Sequence, residues 1–215
     1  MLYFKGIIFD KDGVICSTDR FHYLAWKQVI EPLSGVPFDD EVYDRLRGTG
    51  REKSMEIIAE AYGMRLSQRE KKALCDAKNN IYQNCLASLS TEDAGKGVYY
   101  TLQELRRRGV KVAIGSSSKN TRAVLERLCL LDQFDAIADG NCISKSKPDP
   151  EVFLKAAAML QLTPQDCLVE EDARAGIDAA KAGGFVTAGL CSAAHYVKTD
   201  YKIEQVSDIL SLLAN

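Results

Sequence analysis

Residues 7–15 read "IIFDKDGVI". A run of apolar β-formers leads straight into two aspartates, Asp10 and Asp12, with Lys11 between them and Gly13 after. A short, continuous apolar run suits a strand buried on both faces, as in a parallel sheet. Two carboxylates at the end of such a strand repel each other unless a divalent cation or a shared proton lies between them. Gly13 lets the chain turn sharply just beyond them. Taken alone, the stretch is equally an ordinary Asp-Gly turn with Asp10 as a strand-end cap, so the other strand ends must decide.

Similar runs recur along the chain. After "YFKGIIFD" at 3–10 come "VKVAIGS" at 110–116, "FDAIAD" at 134–139, "DCLVEE" at 166–171 and "FVTAGL" at 185–190. Helical patterns separate the later runs. "GVYYTLQELRRRG" ends on Gly109, a C′ glycine; "SKNTRAVLERLCL" has Ser118 or Asn120 as a cap; "DPEVFLKAAAMLQL" carries Pro150 in its first turn; "ARAGIDAAKAGG" stops on glycines. Short strands alternating with helices predict an α/β fold with a doubly wound parallel sheet. Residues 17 to about 93 break the rhythm and read as helices: "DRFHYLAWKQVIEPL", "REKSMEIIAEAYG" and "SQREKKALCDAKNNIYQNCLASL". They predict an inserted helical cap domain at 17–93 on a core made of 1–16 and 94–215, with "STEDAGKG" at 90–97 as the return linker.

In an open parallel sheet, ligands sit beyond the carboxyl ends of the strands. The first strand ends on Asp10 and Asp12. The second ends on "GSSSKN", whose hydroxyls and free N–H groups suit a phosphate, although a Ser-rich helix start is commonplace. "SKSKPDP" at 144–150 brings Lys147 to a helix start, where a lone lysine would otherwise be a surface residue. The fourth ends on Glu170, Glu171 and Asp172, three adjacent acids that are costly without a cation. One oxygen-lined Mg²⁺ site beside a phosphate would use all of them.

The residues and their order resemble the haloacid dehalogenase (HAD) superfamily of phosphotransferases. "DKDGV" is similar to its first motif, "GSSS" to its second, "SKP" to its third and "VEEDARAG" to its fourth, and the helical insert falls where this superfamily carries one type of cap. Within it, "FHYLAWK", "RLRGTGREKS", "AKNNIY", "SSSKN" and "FDAIAD" resemble the β-phosphoglucomutase family.

The resemblance implies a HAD-like Rossmannoid core and a reaction: interconversion of β-D-glucose 1-phosphate and glucose 6-phosphate through a bisphosphate. Asp10 would be the nucleophile that becomes an aspartyl phosphate, Asp12 the general acid and base, and Lys147 and Ser116 the groups that offset charge on the transferred phosphoryl group. Mg²⁺ would be held by Asp10, the backbone carbonyl of Asp12, Asp172 and, partly through water, Glu171. His22 and Trp26, four apart and so on one helix face, would orient Asp12 and wall the sugar. Arg51, the Gly48-Thr49 backbone and Ser54 would grip the second phosphate, joined by Ser117, Ser118, Lys119 and Asn120 from the core. Lys78 matches a cap lysine of the family and is equally one more solvated charge on a Lys-rich helix.

The chain departs from the pattern at four places. Lys11 replaces an aliphatic residue and could point outward or perturb Asp10. Ala173 replaces a serine, Lys96 a proline, and Glu170 an apolar residue, adding negative charge beside the metal. A HAD phosphatase of small sugar phosphates shares all four motifs but needs no second phosphate grip. A non-catalytic sugar-phosphate sensor and a dehalogenase fit less well, because the full acidic set and Lys147 are present.

The remaining features set the frame. The 215 residues are 46% hydrophobic and 27% charged with a formal net charge of −2, which gives no electrostatic case for nucleic acid or a membrane surface. No basic segment precedes a long apolar stretch at the N-terminus, and no apolar run approaches a membrane span. Seven scattered cysteines predict reduced thiols in a cytoplasmic protein. A monomer is expected, since the cap itself can shield the site.

Overall fold

The protein is described by a computed structural model over residues 4–213. Six strands form one parallel sheet: β1 (Gly6–Phe9), β2 (Lys111–Gly115), β3 (Ala136–Ala138), β4 (Cys167–Glu171), β5 (Val186–Gly189) and β6 (Tyr201–Lys202), in the order β3-β2-β1-β4-β5-β6. The five predicted strands are all present. Tyr3, at the start of the first predicted run, lies outside the described residues. The two-residue edge strand β6 has no counterpart among the expected strands.

Alternation along each strand sorts side chains between two apolar layers. Ile7 and Phe9 of β1, Val112 and Ile114 of β2, and Leu168 of β4 face one layer. It is filled by α5 (Val98–Arg107), α6 (Thr121–Arg127) and α9 (Ile209–Leu212). Ile8, Ala113 and Val169 face the other layer, under α7 (Glu151–Met159) and α8 (Arg174–Ala182). With helices on both faces, the strands read as continuous apolar runs. Gly109, at φ 68°, takes the left-handed position after α5 as expected. Asn120 occupies the cap position of α6 but makes no side-chain cap bond, because its amide is turned toward the helical segment.

That segment holds α1 (Asp19–Ser34), α2 (Asp40–Asp44), α3 (Arg51–Ala61) and α4 (Gln68–Leu86). The five-residue α2 is too short to show a period in sequence. Helix α4 starts on a reciprocal Ser67–Glu70 capping box. Trp26, Ile30, Phe38, Met55 and Ile58 build an apolar cluster of their own between these helices. At the root of the segment, Phe21, Ala25, Tyr82 and Leu86 join the sheet's first layer instead. The return stretch meets the outgoing one at an antiparallel bridge between Cys16 and Ala94. None of the seven cysteines is paired. Among the described residues, no helix is long and apolar enough to cross a membrane.

Ile8 is fully buried at the centre of the sheet. Ile8→Ala should cost about 2–5 kcal/mol, seen in urea as a lower midpoint at unchanged slope. A loss under 1 kcal/mol, on the order of a surface substitution, would contradict this packing.

Candidate active site

The register Phe9↔Ile114 and Phe9↔Glu170 brings three strand ends level. Asp10 follows β1 directly, and its N–H donates to the Glu170 carbonyl at 2.9 Å. Oxygens of Asp10, Glu171 and Asp172 lie within 4.8 Å of one another, and all three residues are buried. Lys147, fully buried on the loop before α7, donates from Nζ to Asp10 Oδ1 and to Glu171 Oε1, each at 2.5 Å. The second oxygen of Glu171 accepts the Ala173 N–H at 2.9 Å. Gly13 turns at φ 83°, and a Cβ there would overlap the Asp172 carboxylate, so the glycine makes room for the cluster as well as for the turn.

One ammonium does not balance three carboxylates. Burial pushes Asp10 up to about 7; Lys147 opposes the shift, while Glu171 and Asp12 add to it. Burial, then Glu171 and Asp10, push Asp172 up to about 9. Crowded, hard carboxylate oxygens short of positive charge are the donor set of a divalent cation, and the residues present fit one.

Asp12 is placed differently. Its Oδ2 lies 2.6 Å from the Lys11 ammonium, and Oδ1 accepts from the Thr18 hydroxyl. His22 Nε2 faces Oδ2 at 3.6 Å, too long for a hydrogen bond. Burial opposes ionisation of Asp12, but Lys11 and then His22 outweigh it and hold the carboxyl far below the usual range. Lys11 therefore neither points outward nor bears chiefly on Asp10: the chain leaves β1 after Phe9, and the turn carries the lysine to Asp12.

Glu170 also differs from expectation. Its side chain alternates away from that of Glu171, is fully buried, and its oxygens have no partner among the described residues. Burial, then Asp208, push it well above the ordinary glutamate value, so it favours the neutral form and adds no charge to the cluster.

Lys78 is a buried side chain, not a solvated one. Its Nζ is 2.7 Å from His22 Nδ1 and lies 5.4 Å from the Trp26 ring centroid and 4.7 Å from that of Tyr82. Burial, reinforced by Arg51, brings Lys78 down to about 7, and burial with the Lys78 charge brings His22 down to about 4. A neutral His22 accepts from Lys78 at Nδ1 and presents its own proton at Nε2, toward Asp12.

A cavity of about 380 Å³ opens between the sheet ends and the helical segment. Asp10, Asp12, Ser116 and Asp172 line it from the sheet, with Ser117, Ser118, Lys119 and Asn120 from the loop after β2. His22, Trp26, Gly48, Thr49, Arg51, Ser54 and Lys78 line it from the helical segment. Lys147 and Glu171 are fully buried and do not line the cavity.

Some of these side chains are already engaged. Ser54 Oγ donates to the Gly50 carbonyl at 3.1 Å and meets Thr49 Oγ1 at 2.9 Å, ordering the loop that carries Arg51. Ser117 Oγ accepts the Lys147 N–H at 3.3 Å. Two polar pairs beside the cavity were missed in sequence. Glu52 pairs with Lys119 at 2.7 Å, and Asn79 pairs with Asn120 at 2.8 Å, both joining the helical segment to the core. Arg47, held by Asp19 at 2.8 Å, also reaches the rim.

The profile of the haloacid dehalogenase-like hydrolases matches residues 4–184. The chain belongs to this family and is an enzyme of it. It is 40% identical over 207 residues to the β-phosphoglucomutase of Bacillus subtilis (strain 168), covering 95% of this chain and 91% of that one. It is also 31% identical over 185 residues to fructose-1-phosphate phosphatase YqaB of Escherichia coli (strain K12), covering 84% and 93%. Among solved structures, β-phosphoglucomutase from Clostridium difficile superposes with a TM-score of 0.90 at 31% identity, covering 96% of this chain and 93% of that one. HAD-family membership and the acidic cluster together imply a divalent metal.

The raised carboxyls make a pH prediction. Asp10 at about 7 and Asp172 at about 9, against an ordinary 3.8, keep protons in the folded state that the unfolded chain has released. Stability from these groups is therefore full below about pH 4 and is lost as pH rises toward 9. In calorimetry of the metal-free protein, Asp172→Asn should flatten the fall in Tm across that window. Added divalent cation should raise Tm most at the alkaline end. A cation increment independent of pH would contradict the charge balance drawn here.

Proposed function

We propose that the protein is a Mg²⁺-dependent phosphosugar mutase that interconverts β-D-glucose 1-phosphate and glucose 6-phosphate. One observation carries the reading: one cavity is lined by Asp10 and Asp172 from the sheet ends and by Arg51 from the helical segment, with Lys119 and Asn120 also in its lining. A bisphosphate has two phosphates to hold, and a planar guanidinium suits the one that is not transferred. The 40% identity to a β-phosphoglucomutase supports the same choice.

In this reading residues 17–93 are the cap and the remainder is the core. The ionised Asp12 takes the proton of a sugar hydroxyl as that oxygen attacks the aspartyl phosphate, forming the new P–O bond and freeing Asp10. Asp10 then attacks the other phosphate of the bisphosphate so formed, the bond from that phosphorus to the sugar oxygen breaks, and that oxygen takes the proton Asp12 has gained. Lys147 holds Oδ1 of Asp10 and so fixes the carboxylate's orientation. Ser116 donates to the oxygens of the transferred group. His22 turns Nε2 toward Asp12 from 3.6 Å, and Trp26 walls the sugar. Mg²⁺, held by Asp10, Glu171, Asp172 and the Asp12 carbonyl, would offset the charge of the phosphoryl group and its nucleophile. The closed cap keeps water from the aspartyl phosphate, so a sugar hydroxyl receives it. The enzyme is taken to work as a cytoplasmic monomer.

A second reading is hydrolysis of small sugar phosphates, favoured by the likeness to a fructose-1-phosphate phosphatase. A coupled assay separates the two, with Mg²⁺, a trace of glucose 1,6-bisphosphate and β-D-glucose 1-phosphate, following glucose 6-phosphate and free phosphate together. Glucose 6-phosphate should form without free phosphate, and Asp10→Asn should abolish it. Arg51→Ala should lower kcat/KM for isomerisation at least tenfold, about 1.4 kcal/mol. Release of free phosphate from many sugar phosphates, indifferent to Arg51, would establish the phosphatase instead.

A further inference from the structure

Lys11 is as buried as any residue in the molecule, and the chemistry above gives it nothing to do. A buried ammonium is tolerated only where it is paired. Its Nζ sits 2.6 Å from Asp12 Oδ2 and donates to Thr18 Oγ1 at 3.3 Å. Thr18 contacts the other carboxylate oxygen of Asp12, and its hydroxyl lies 2.9 Å from Tyr82 OH on α4. Both oxygens of Asp12 are therefore held, one by Lys11 and one by Thr18, and Thr18 is tied in turn to the root of the cap. An aliphatic side chain at position 11 would leave Oδ2 facing only His22 Nε2, at 3.6 Å.

We propose that Lys11 is a positioning residue: its ammonium fixes the side-chain orientation of Asp12 against the Thr18–Tyr82 contact, so that proton transfer to and from the substrate depends on it while attack by Asp10 does not. This rests on the reading of Asp12 as general acid and base. The geometry separates the two steps. Asp10 is oriented by Lys147, which comes from a different loop. Nothing in that contact passes through Lys11. An aliphatic residue would fill the same space but leave the acid/base carboxylate held at one oxygen only, by Thr18, and a misplacement on the order of 1 Å costs about 10²-fold in rate.

The test compares the two steps in one protein. With p-nitrophenyl phosphate, the pre-steady-state burst of nitrophenolate reports attack by Asp10, since that leaving group needs no proton. Turnover of β-D-glucose 1-phosphate, counted as glucose 6-phosphate plus free phosphate, needs Asp12. In Lys11→Met the ratio of turnover to burst should fall at least tenfold, with KM for the sugar phosphate within threefold of wild type, as expected when placement and not binding is lost. Burst and turnover falling in proportion would make Lys11 a structural residue and overturn the proposal. An unchanged ratio would overturn it equally.

Should Lys11→Met melt below the assay temperature, the same ratio is measured in Lys11→Ala refolded with propylammonium. Withdrawal of the amine must then lower turnover more than burst, and a parallel loss overturns the proposal. Failure of the mutase reading looks different. It appears as free phosphate in wild type, which leaves the ratio readable because hydrolysis of a sugar phosphate needs the same proton on its leaving oxygen.

Discussion

The Lys147 ammonium, sealed from solvent and bonded to both Asp10 and Glu171, is the contact on which the rest of the site depends. Removing one partner of such a buried pair leaves an uncompensated charge, which is far costlier than losing a surface ion pair. The sheet supplies the geometry. β1 and β4 are neighbours in register, so a residue just beyond one comes level with the end of the other. Lys147 arrives from a loop far along the chain and meets them only because α7 packs under β1 and β2. The pair neutralises part of the acidic cluster, and the remainder draws a divalent cation. The strand ends, the acidic cluster and its ammonium are thus one electrostatic problem with one solution.

The helical segment adds a second constraint. It has its own apolar cluster around Trp26, Ile30 and Met55, while Phe21 and Tyr82 root it in the sheet's layer. Polar contacts across the cavity, Lys119 with Glu52 and Asn120 with Asn79, hold its far edge to the core. These pairs are partly exposed and individually weak. They use the core side chains expected to grip a phosphate, so an anionic ligand competes with Glu52 for Lys119.

Much of this was legible in the sequence. The ends of β1, β2 and β4 were marked by a change from apolar run to chemistry-bearing residue, and these three strands are neighbours in the sheet, so their ends meet. Local spacing failed where a side chain's direction was decided by tertiary structure. Lys11 sits just beyond the last residue of β1, where alternation no longer applies, and the turn through Gly13 aims it at Asp12. Glu170 was misread although the signal was present: two adjacent strand residues point to opposite faces, so it could not share the side of Glu171. Glu52 and Asn79 were missed because nothing in their own helices marks the core residues they meet. The edge strand β6 and the single-turn α2 are too short to carry a period.

The central claim is that Asp10 takes the phosphoryl group, held in place by Lys147 and its acidic neighbours. It is tested most directly by trapping the phosphorylated enzyme. The protein is mixed with a sugar phosphate and Mg²⁺, quenched, and reduced with borohydride, which converts an aspartyl phosphate to homoserine. Peptide mass analysis should find homoserine at position 10 alone, and none in Lys147→Met. Homoserine at Asp12 or Asp172, or a phosphate found on Ser116, would contradict the account.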